Sequence, residues 1–182
     1  MEQNHSKTGI RTAYSPDGYI VDQTRVTDVR YGCRLSSQNG CGWIAVFNLL
    51  RCLGDPVPHE EIVAALSKHA LLRGMLGTSP LRVKRYLKQR GHATRLYAGK
   101  RRAILAAETA NSGILVYRHA RGWHYAAFLR AEDGGELRFF NAGVHSGLAM
   151  PMEAFLVERN LAPFVLLFVA QQAESAAHGS AD

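Results

Sequence analysis

The fold of this chain is decided by residues 36–50, which read SSQNGCGWIAVFNLL. A polar, glycine-bearing turn passes here into an apolar stretch typical of a helix, and Cys41 lies at the junction. The N-terminal end of a helix carries roughly half a positive charge, which favours an anion there. A thiol at that position loses its proton more easily, and the thiolate is the reactive nucleophile. We therefore expect Cys41 to be a reactive, partly exposed cysteine with a lowered pKa.

The first half of the chain is predicted to be helical. Apolar side chains lie nearly all round the segment 41–53, which indicates a buried central helix that Gly54 then ends. A later helix has Pro80 in its first turn and Gly91 just past its end. The predicted helices cover residues 41–53, 58–69, 80–90 and 102–110, and a further short helix covers 152–158.

The second half changes to the pattern of β-strands. Runs of apolar and aromatic residues indicate strands over residues 113–118, 124–130, 136–141 and 163–171. Helices that precede antiparallel strands are typical of the α+β class. We therefore predict a helical N-terminal half, with its central helix beginning at Cys41, and a C-terminal antiparallel sheet.

A hairpin brings two polar side chains together. Asp133-Gly134 is a strong signal for a two-residue turn. Such a loop sets His124 opposite Gly143, so that Asn141 becomes the diagonal neighbour of His124 on the same face of the sheet. The sequence thus predicts an imidazole beside a carboxamide, which can hold one ring nitrogen and leave the other for a thiol.

Length and composition indicate one folded domain. The chain has 182 residues, of which 47% are hydrophobic, enough to bury a core. We predict an irregular N-terminal segment over 1–30, a single domain over 31–172 and a disordered tail over 173–182. No apolar run approaches the roughly 18 residues needed to cross a bilayer. The first residues also lack the apolar middle of a secretory signal.

The three cysteines indicate a reducing compartment. Cys33, Cys41 and Cys52 cannot all pair within one chain, so free thiols fit better than a disulfide framework. Together with the missing signal sequence, this predicts a cytoplasmic protein. There is no C-x-x-C pair and the eight histidines lack ligand spacing, so no metal or other cofactor is predicted.

The net charge of +7 is concentrated in two basic clusters, over residues 82–90 and 100–102. One interpretation is a solvated helix face. The other is contact with an acidic partner: nucleic acid, an anionic membrane surface or an acidic peptide. Nucleic acid ranks low, because no glycine-rich phosphate loop and no aromatic ladder accompany the basic residues.

Three motifs carry a family resemblance. Residues 38–48, 122–125 and 140–143 supply a cysteine, a histidine and an asparagine in the order found in papain-like enzymes. The chain resembles the papain-like cysteine peptidase superfamily. It is most similar to the bacterial branch that cleaves double-glycine leaders from bacteriocin precursors. Where that branch usually has Asp-Pro, this chain has Asn141-Ala142, and Leu35 occupies the usual place of the oxyanion glutamine.

The resemblance implies a hydrolase acting on a peptide or amide-containing substrate. Cys41 would attack the carbonyl, His124 would accept the thiol proton and later protonate the leaving amine, and Asn141 would orient His124. The Cys41 backbone N–H, with Gln38 as a helper, would bind the oxyanion. The predicted substrate-binding residues beside these positions are Gly40, Trp43 and Trp123.

Some alternatives stay open from the sequence. The two tryptophans are either packing residues or walls of the cleft. On the same fold, an acyl-thioester on Cys41 could be transferred to an amine, which would make the protein an acyltransferase. A catalytically silent peptide-binding module is the third interpretation. The oligomeric state is not encoded in any pattern of the chain.

Overall fold

The computed structural model describes residues 8–68, 77–132 and 134–171. Its helices are α1 (Thr8–Arg11), α2 (Ser36–Asn39), α3 (Cys41–Cys52), α4 (His59–Ser67), α5 (Pro80–Gln89), α6 (Lys100–Ala107) and α7 (Met152–Arg159). Its strands are β1 (Arg30–Tyr31), β2 (Arg34–Leu35), β3 (Thr94–Ala98), β4 (Ser112–His119), β5 (Gly122–Arg130), β6 (Leu137–Phe140), β7 (Ala149–Met150) and β8 (Leu166–Ala170). Short 3-10 turns cover Gln23–Arg25 and Gly143–His145.

A six-stranded sheet forms the centre of the molecule, in the order β3-β8-β4-β5-β6-β7. Every neighbouring pair is antiparallel. The strands β1 and β2 form a separate two-stranded ribbon just before α2. The chain is therefore α+β with an antiparallel sheet, as predicted.

Both faces of the sheet are covered, because its central strand alternates between two apolar clusters. Ile114 and Val116 of β4 belong to the cluster that contains α3, α4 and α5. Leu115 and Tyr117, the alternate residues, belong to the cluster built with α6 and α7. Side chains of successive strand residues point to opposite faces, so β4 is buried from both sides. The helix α3 packs on one face of this sheet, against β5 and β4.

The predicted helices are confirmed, with small shifts at their ends. α3 begins at Cys41, and ten of its twelve residues are buried, as the apolar pattern indicates for a central helix. α6 begins two residues before its predicted start and ends three residues before its predicted end. Residue 69, at the predicted end of α4, lies outside the described residues, as does the predicted tail 173–182.

The hairpin register is confirmed. Arg130 pairs with Leu137 and Ala127 pairs with Phe140, which is the register that a two-residue loop predicts. Asp133 itself lies outside the described residues. The sequence did not reveal β3, because this outer strand is half-exposed and short, so its apolar pattern is weak.

The described part of the N-terminal segment packs into the core. Ile10, Ala13, Ile20 and Val26 are buried in the cluster around α3. Asn48, which is fully buried in α3, holds this segment by two hydrogen bonds to one residue. The Ile20 N–H donates to the Asn48 Oδ1 at 2.9 Å, and the Asn48 Nδ2 donates to the Ile20 carbonyl at 2.9 Å.

Within the described residues, none of the helices combines the length and apolar content that a membrane span requires.

Candidate active site

Cys41 is the first residue of α3, and Gly40 is the N-cap. Cys41 is only 8% exposed, so it is buried and not partly exposed as predicted. The next residue, Gly42, is packed so closely that a β-carbon there would overlap the Thr78 side chain. Thr78 is itself held by its backbone carbonyl, which accepts from the Tyr125 hydroxyl at 2.6 Å. The first turn of α3 thus packs closely against Thr78 and β5, and this packing buries the Cys41 thiol.

Burial reverses the effect that the helix end was expected to have. Desolvation raises the pKa of Cys41 from 9.0 to about 11, although hydrogen bonds from the backbone of Tyr125 and Gly42 oppose the shift. The sequence-based prediction of a lowered pKa is therefore wrong for this conformation. It considered the helix end alone, whereas the desolvation of a buried thiolate costs more than the helix end contributes.

His124 lies near the start of β5, and its ring is held in one orientation. The ring Nε2 is 2.6 Å from the backbone carbonyl oxygen of Asn141. Because a carbonyl oxygen only accepts hydrogen bonds, Nε2 carries the hydrogen, and the neutral ring has its lone pair on Nδ1. Burial lowers the pKa of His124 to about 4, while the bond to Asn141 acts in the opposite direction. His124 is therefore a neutral base at pH 7.

Asn141 reaches His124 through its backbone, which corrects the predicted contact through its carboxamide. Among the described residues, Asn141 is the only non-glycine with a positive φ, at 57°. Asparagine tolerates this left-handed conformation better than most residues, and the twist ends the ladder of β6 just before the residue. Register alone could not predict this, because register arguments hold only where the strand stays extended.

The Asn141 side chain binds Gln23, a residue that the sequence analysis missed. Its Oδ1 accepts from the Gln23 backbone N–H at 2.9 Å, and its Nδ2 is 3.4 Å from the Gln23 Oε1. The Gln23 Nε2 in turn donates to the Ser37 carbonyl at 3.3 Å. Gln23 therefore links the loop that holds His124 to the helix that precedes Cys41. No motif in the sequence pointed to it, because it lies in a segment predicted to be irregular.

Two of the predicted substrate-binding residues belong to the core. Trp43 is fully buried, and its Nε1 donates to the Ser36 Oγ at 3.0 Å. Gly40 is buried as well, and a β-carbon there would lie 2.6 Å from the Ser36 carbonyl oxygen. Both are packing residues that fix the turn into α3, which corrects the prediction that they contact substrate. Trp123, by contrast, is 50% exposed.

A cavity of about 460 Å³ joins the remaining candidates. It is lined by Cys41, His124, Asn141, Gln38, Trp123 and by residues of the loops around them. A second cavity of about 530 Å³ is also lined by Cys41, Gln38 and Trp123. A thiol, a neutral base and an amide side chain that share one cavity can perform nucleophilic acyl transfer. Within the described residues, no cluster of His, Cys, Asp or Glu is arranged to hold a metal ion.

The raised pKa of Cys41 predicts slow alkylation in the free protein. Compared with an ordinary thiol of pKa 9.0, a thiol of pKa about 11 forms about a hundredth as much thiolate at neutral pH. The thiolate that forms is about eightfold more nucleophilic, since reactivity rises with basicity. Iodoacetamide should therefore label Cys41 at least about tenfold more slowly than the exposed Cys33, as measured by mass spectrometry of tryptic peptides.

The pH dependence of the alkylation rate is a second test of the raised pKa of Cys41. Because the thiolate is the reactive form, the Cys41 rate should keep rising with pH up to about 11, beyond the value of 9.0 at which an ordinary thiol levels off. Labelling of Cys41 before Cys33 near neutral pH would contradict the raised pKa.

Comparisons with known proteins place the fold. No family model matches the chain, and neither does any curated protein. The fold is similar to that of a solved structure, the peptidase domain of Streptococcus ComA, a bifunctional ABC transporter involved in a quorum-sensing pathway. The two chains are 16% identical with a TM-score of 0.52, and the match covers 78% of this chain and 100% of that domain. The predicted resemblance to the papain-like leader-peptidase branch is thus confirmed at the level of the fold.

Proposed function

We propose that this protein is a cysteine hydrolase that cleaves a peptide or amide bond with Cys41 as its nucleophile. One observation carries the proposal: Cys41 begins the central helix of a peptidase-like fold and shares a cavity with a histidine whose Nε2 is already hydrogen-bonded. The free Nδ1 lone pair is what a general base needs to accept a thiol proton.

The resting pair is neutral, so the proton moves as the substrate reacts. With the pKa of Cys41 at about 11 and that of His124 at about 4, the free site holds a thiol and an imidazole and not an ion pair. In the first step the sulfur bonds to the substrate carbonyl carbon while its proton passes to the His124 Nδ1. The carbonyl oxygen becomes an oxyanion, for which we assign the Cys41 backbone N–H and the Gln38 side-chain amide as donors.

The second half of the reaction returns the site to its starting state. The imidazolium gives its proton to the leaving nitrogen, the carbon–nitrogen bond breaks, and an acyl-thioester remains on Cys41. Water then attacks the thioester as His124 accepts its proton, which releases the acid and restores the thiol. Throughout, the Asn141 carbonyl accepts from Nε2, so it orients the ring and stabilises the transient imidazolium.

The proposed roles of Cys41, His124 and Asn141 follow from where each residue lies in the site. Asn141 acts through its backbone carbonyl. Any residue that adopts a positive φ and aims its carbonyl at His124 could serve, so Asn141 is an orienting residue whose side chain works through Gln23. Trp123 is the proposed substrate-contact residue, since half of its surface is exposed between the two cavities. Because its cysteines are free thiols, which are typical of a reducing compartment, we propose that the protein is cytoplasmic.

A digest of a diverse peptide library tests the function, because it offers the protein many candidate sequences at once. The library is incubated with the parent protein and with Cys41→Ala, and new termini are identified by mass spectrometry. Cleavages that require Cys41 and His124 but survive Cys33→Ala are expected, because Cys33 is exposed and is not among the residues that line either cavity. A library left intact, or transfer of the acyl group to added amines in place of hydrolysis, would contradict the hydrolase proposal.

A further inference from the structure

The two cavities beside Cys41 carry positive charge that nothing in the described structure neutralises. Arg121 lines both cavities, Arg159 lines the first and Arg34 lines the second. Elsewhere in the described residues arginines form ion pairs with carboxylates, among them Arg90 with Asp55 at 2.9 Å. No carboxylate of the described residues lies within ion-pair distance of the three cavity arginines.

The one acidic residue that lines these cavities is already engaged. Asp22 forms an ion pair with Arg25 at 3.1 Å, and its other oxygen accepts from the Thr24 backbone N–H at 3.0 Å. Both contacts lie within its own loop, so Asp22 serves as the cap of the short turn that follows. Asp22 therefore does not neutralise the cavity arginines, and their positive charge is available to a bound anion.

Arg159 is the most constrained of the three. It is the last residue of α7 and half-buried, and its Nε is buried without a hydrogen-bond partner. The guanidinium lies against Gly143, where a β-carbon would come within 2.8 Å of Nη2. A helix C-terminus favours a cation, but it does not supply partners for the buried N–H donors. A buried N–H donor without a partner is costly, and an anion in the cavity would supply an acceptor for the guanidinium.

Arg159 lies close enough to the reacting groups for its charge to affect them. Its charge acts on both His119 and His124, and it helps to lower the pKa of each ring after the larger effect of burial. It also lies beside the buried Tyr117 hydroxyl, whose pKa is raised by burial and lowered by the charge of Arg159 and a hydrogen-bonding contact with it. The guanidinium also lies against Gly143, two residues beyond Asn141, whose carbonyl holds the His124 ring, so it is on the His124 side of the cavity. Since His124 must reach the leaving nitrogen, that side receives the leaving-group half of the substrate.

We infer that Arg159 and Arg121 form an anion subsite that binds a carboxylate in the leaving-group half of the substrate. The inference rests on the proposed function, and it narrows the substrate class to peptides or amides that carry an acidic group just beyond the scissile bond. A planar guanidinium can bind a carboxylate by two parallel hydrogen bonds, which fixes its direction as well as its charge. A free C-terminus and an Asp or Glu side chain share this chemistry.

Two alkylating reagents of nearly equal size test the subsite directly at Cys41. Iodoacetate carries a carboxylate and iodoacetamide is neutral, so the ratio of their rates reports an anion site beside the thiol. N-acetylcysteine amide in the same tube gives the reference ratio. In the parent protein the Cys41 ratio should exceed the reference on the order of tenfold, as expected for a charge-assisted hydrogen bond. A Cys41 ratio equal to the reference would overturn the subsite.

Four variants distinguish a local anion subsite from a general effect of charge and from a loss of folding. Arg159→Gln and Arg121→Gln should each lower the ratio toward the reference, whereas Arg159→Lys should give an intermediate ratio, because it keeps the charge but not the two parallel hydrogen bonds. Arg102→Gln is the matched control, because it removes the same charge from an exposed position on α6. The ratio cancels any change in the reactivity of the thiol itself, and thermal melts of all four variants report whether the fold is intact. An equal fall of the ratio in Arg102→Gln would refute a local subsite.

The cleavage sites of the peptide library identify the source of the carboxylate. Asp or Glu enriched just after the cut indicates a side chain, and cuts near free C-termini that disappear on amidation indicate the terminus. Either result supports the subsite, and cleavage indifferent to both contradicts it. If the reagent ratio is high but no peptide is cut, the hydrolase proposal fails while the anion site stands.

Discussion

Replacement of Cys41 by alanine is expected to lower peptide hydrolysis by at least about 10³-fold, and His124→Ala should do the same. Alanine removes the sulfur that forms the covalent bond in the first variant and the proton acceptor in the second. Because the two groups act as a unit, the double variant should be little worse than either single one. The measurement is the rate of the strongest library cleavage, made with each purified variant. A Cys41→Ala protein with near-parent activity would exclude Cys41 as the nucleophile.

Folding must be measured alongside activity, since Cys41 is buried. The lost sulfur should cost about 1–2 kcal/mol, more than for a surface substitution but less than for a large core side chain. Leu49→Ala is the control, because Leu49 is fully buried in the same helix and should cost about 2–5 kcal/mol. Cys41→Ala that unfolds as readily as Leu49→Ala would make Cys41 a structural residue.

The central helix and the hairpin could be predicted because each depends on local signals. A glycine-bearing turn followed by apolar residues on all sides determines where α3 begins and that it is buried. The Asp133-Gly134 sequence signal predicts the pairing of Ala127 with Phe140, and this observed pairing brings His124 to the Asn141 loop. Where a two-residue turn and an extended strand determine geometry, sequence alone was sufficient.

The features that escaped prediction depend on contacts between distant segments. The pKa of Cys41 depends on its burial against β5. Trp43 can be buried in the core because the Ser36 hydroxyl accepts a hydrogen bond from its ring N–H. Gln23 and Arg159 reach the cavity from opposite ends of the chain and belong to no local motif. Asn141 departs from the predicted geometry because its backbone twists at the end of a strand. Local patterns determine elements, whereas solvation and loop contacts determine the chemistry of the site.

The contact between α3 and the N-terminal segment should make a large polar contribution to stability. Asn48 satisfies both the N–H and the carbonyl of Ile20 in a fully buried environment, in the manner of a strand partner. Asn48→Ala leaves these two backbone groups without partners and opens a small cavity. We expect the free energy of unfolding to fall by about 2–6 kcal/mol, since each of the two unsatisfied buried groups costs about 1–3 kcal/mol.

Chemical denaturation measures the loss, and hydrogen exchange shows where it occurs. Asn111→Ala is the matched control, because Asn111 is exposed and its change should stay within about 0.5 kcal/mol. In Asn48→Ala the Ile20 amide should lose most of its protection, while amides in the centre of β4 keep theirs. Since Gln23 lies three residues beyond Ile20 and binds Asn141, release of this segment should also loosen the carbonyl that orients His124. An Asn48→Ala protein as stable as the Asn111→Ala control, with Ile20 still protected, would show that the segment is held by its apolar contacts alone.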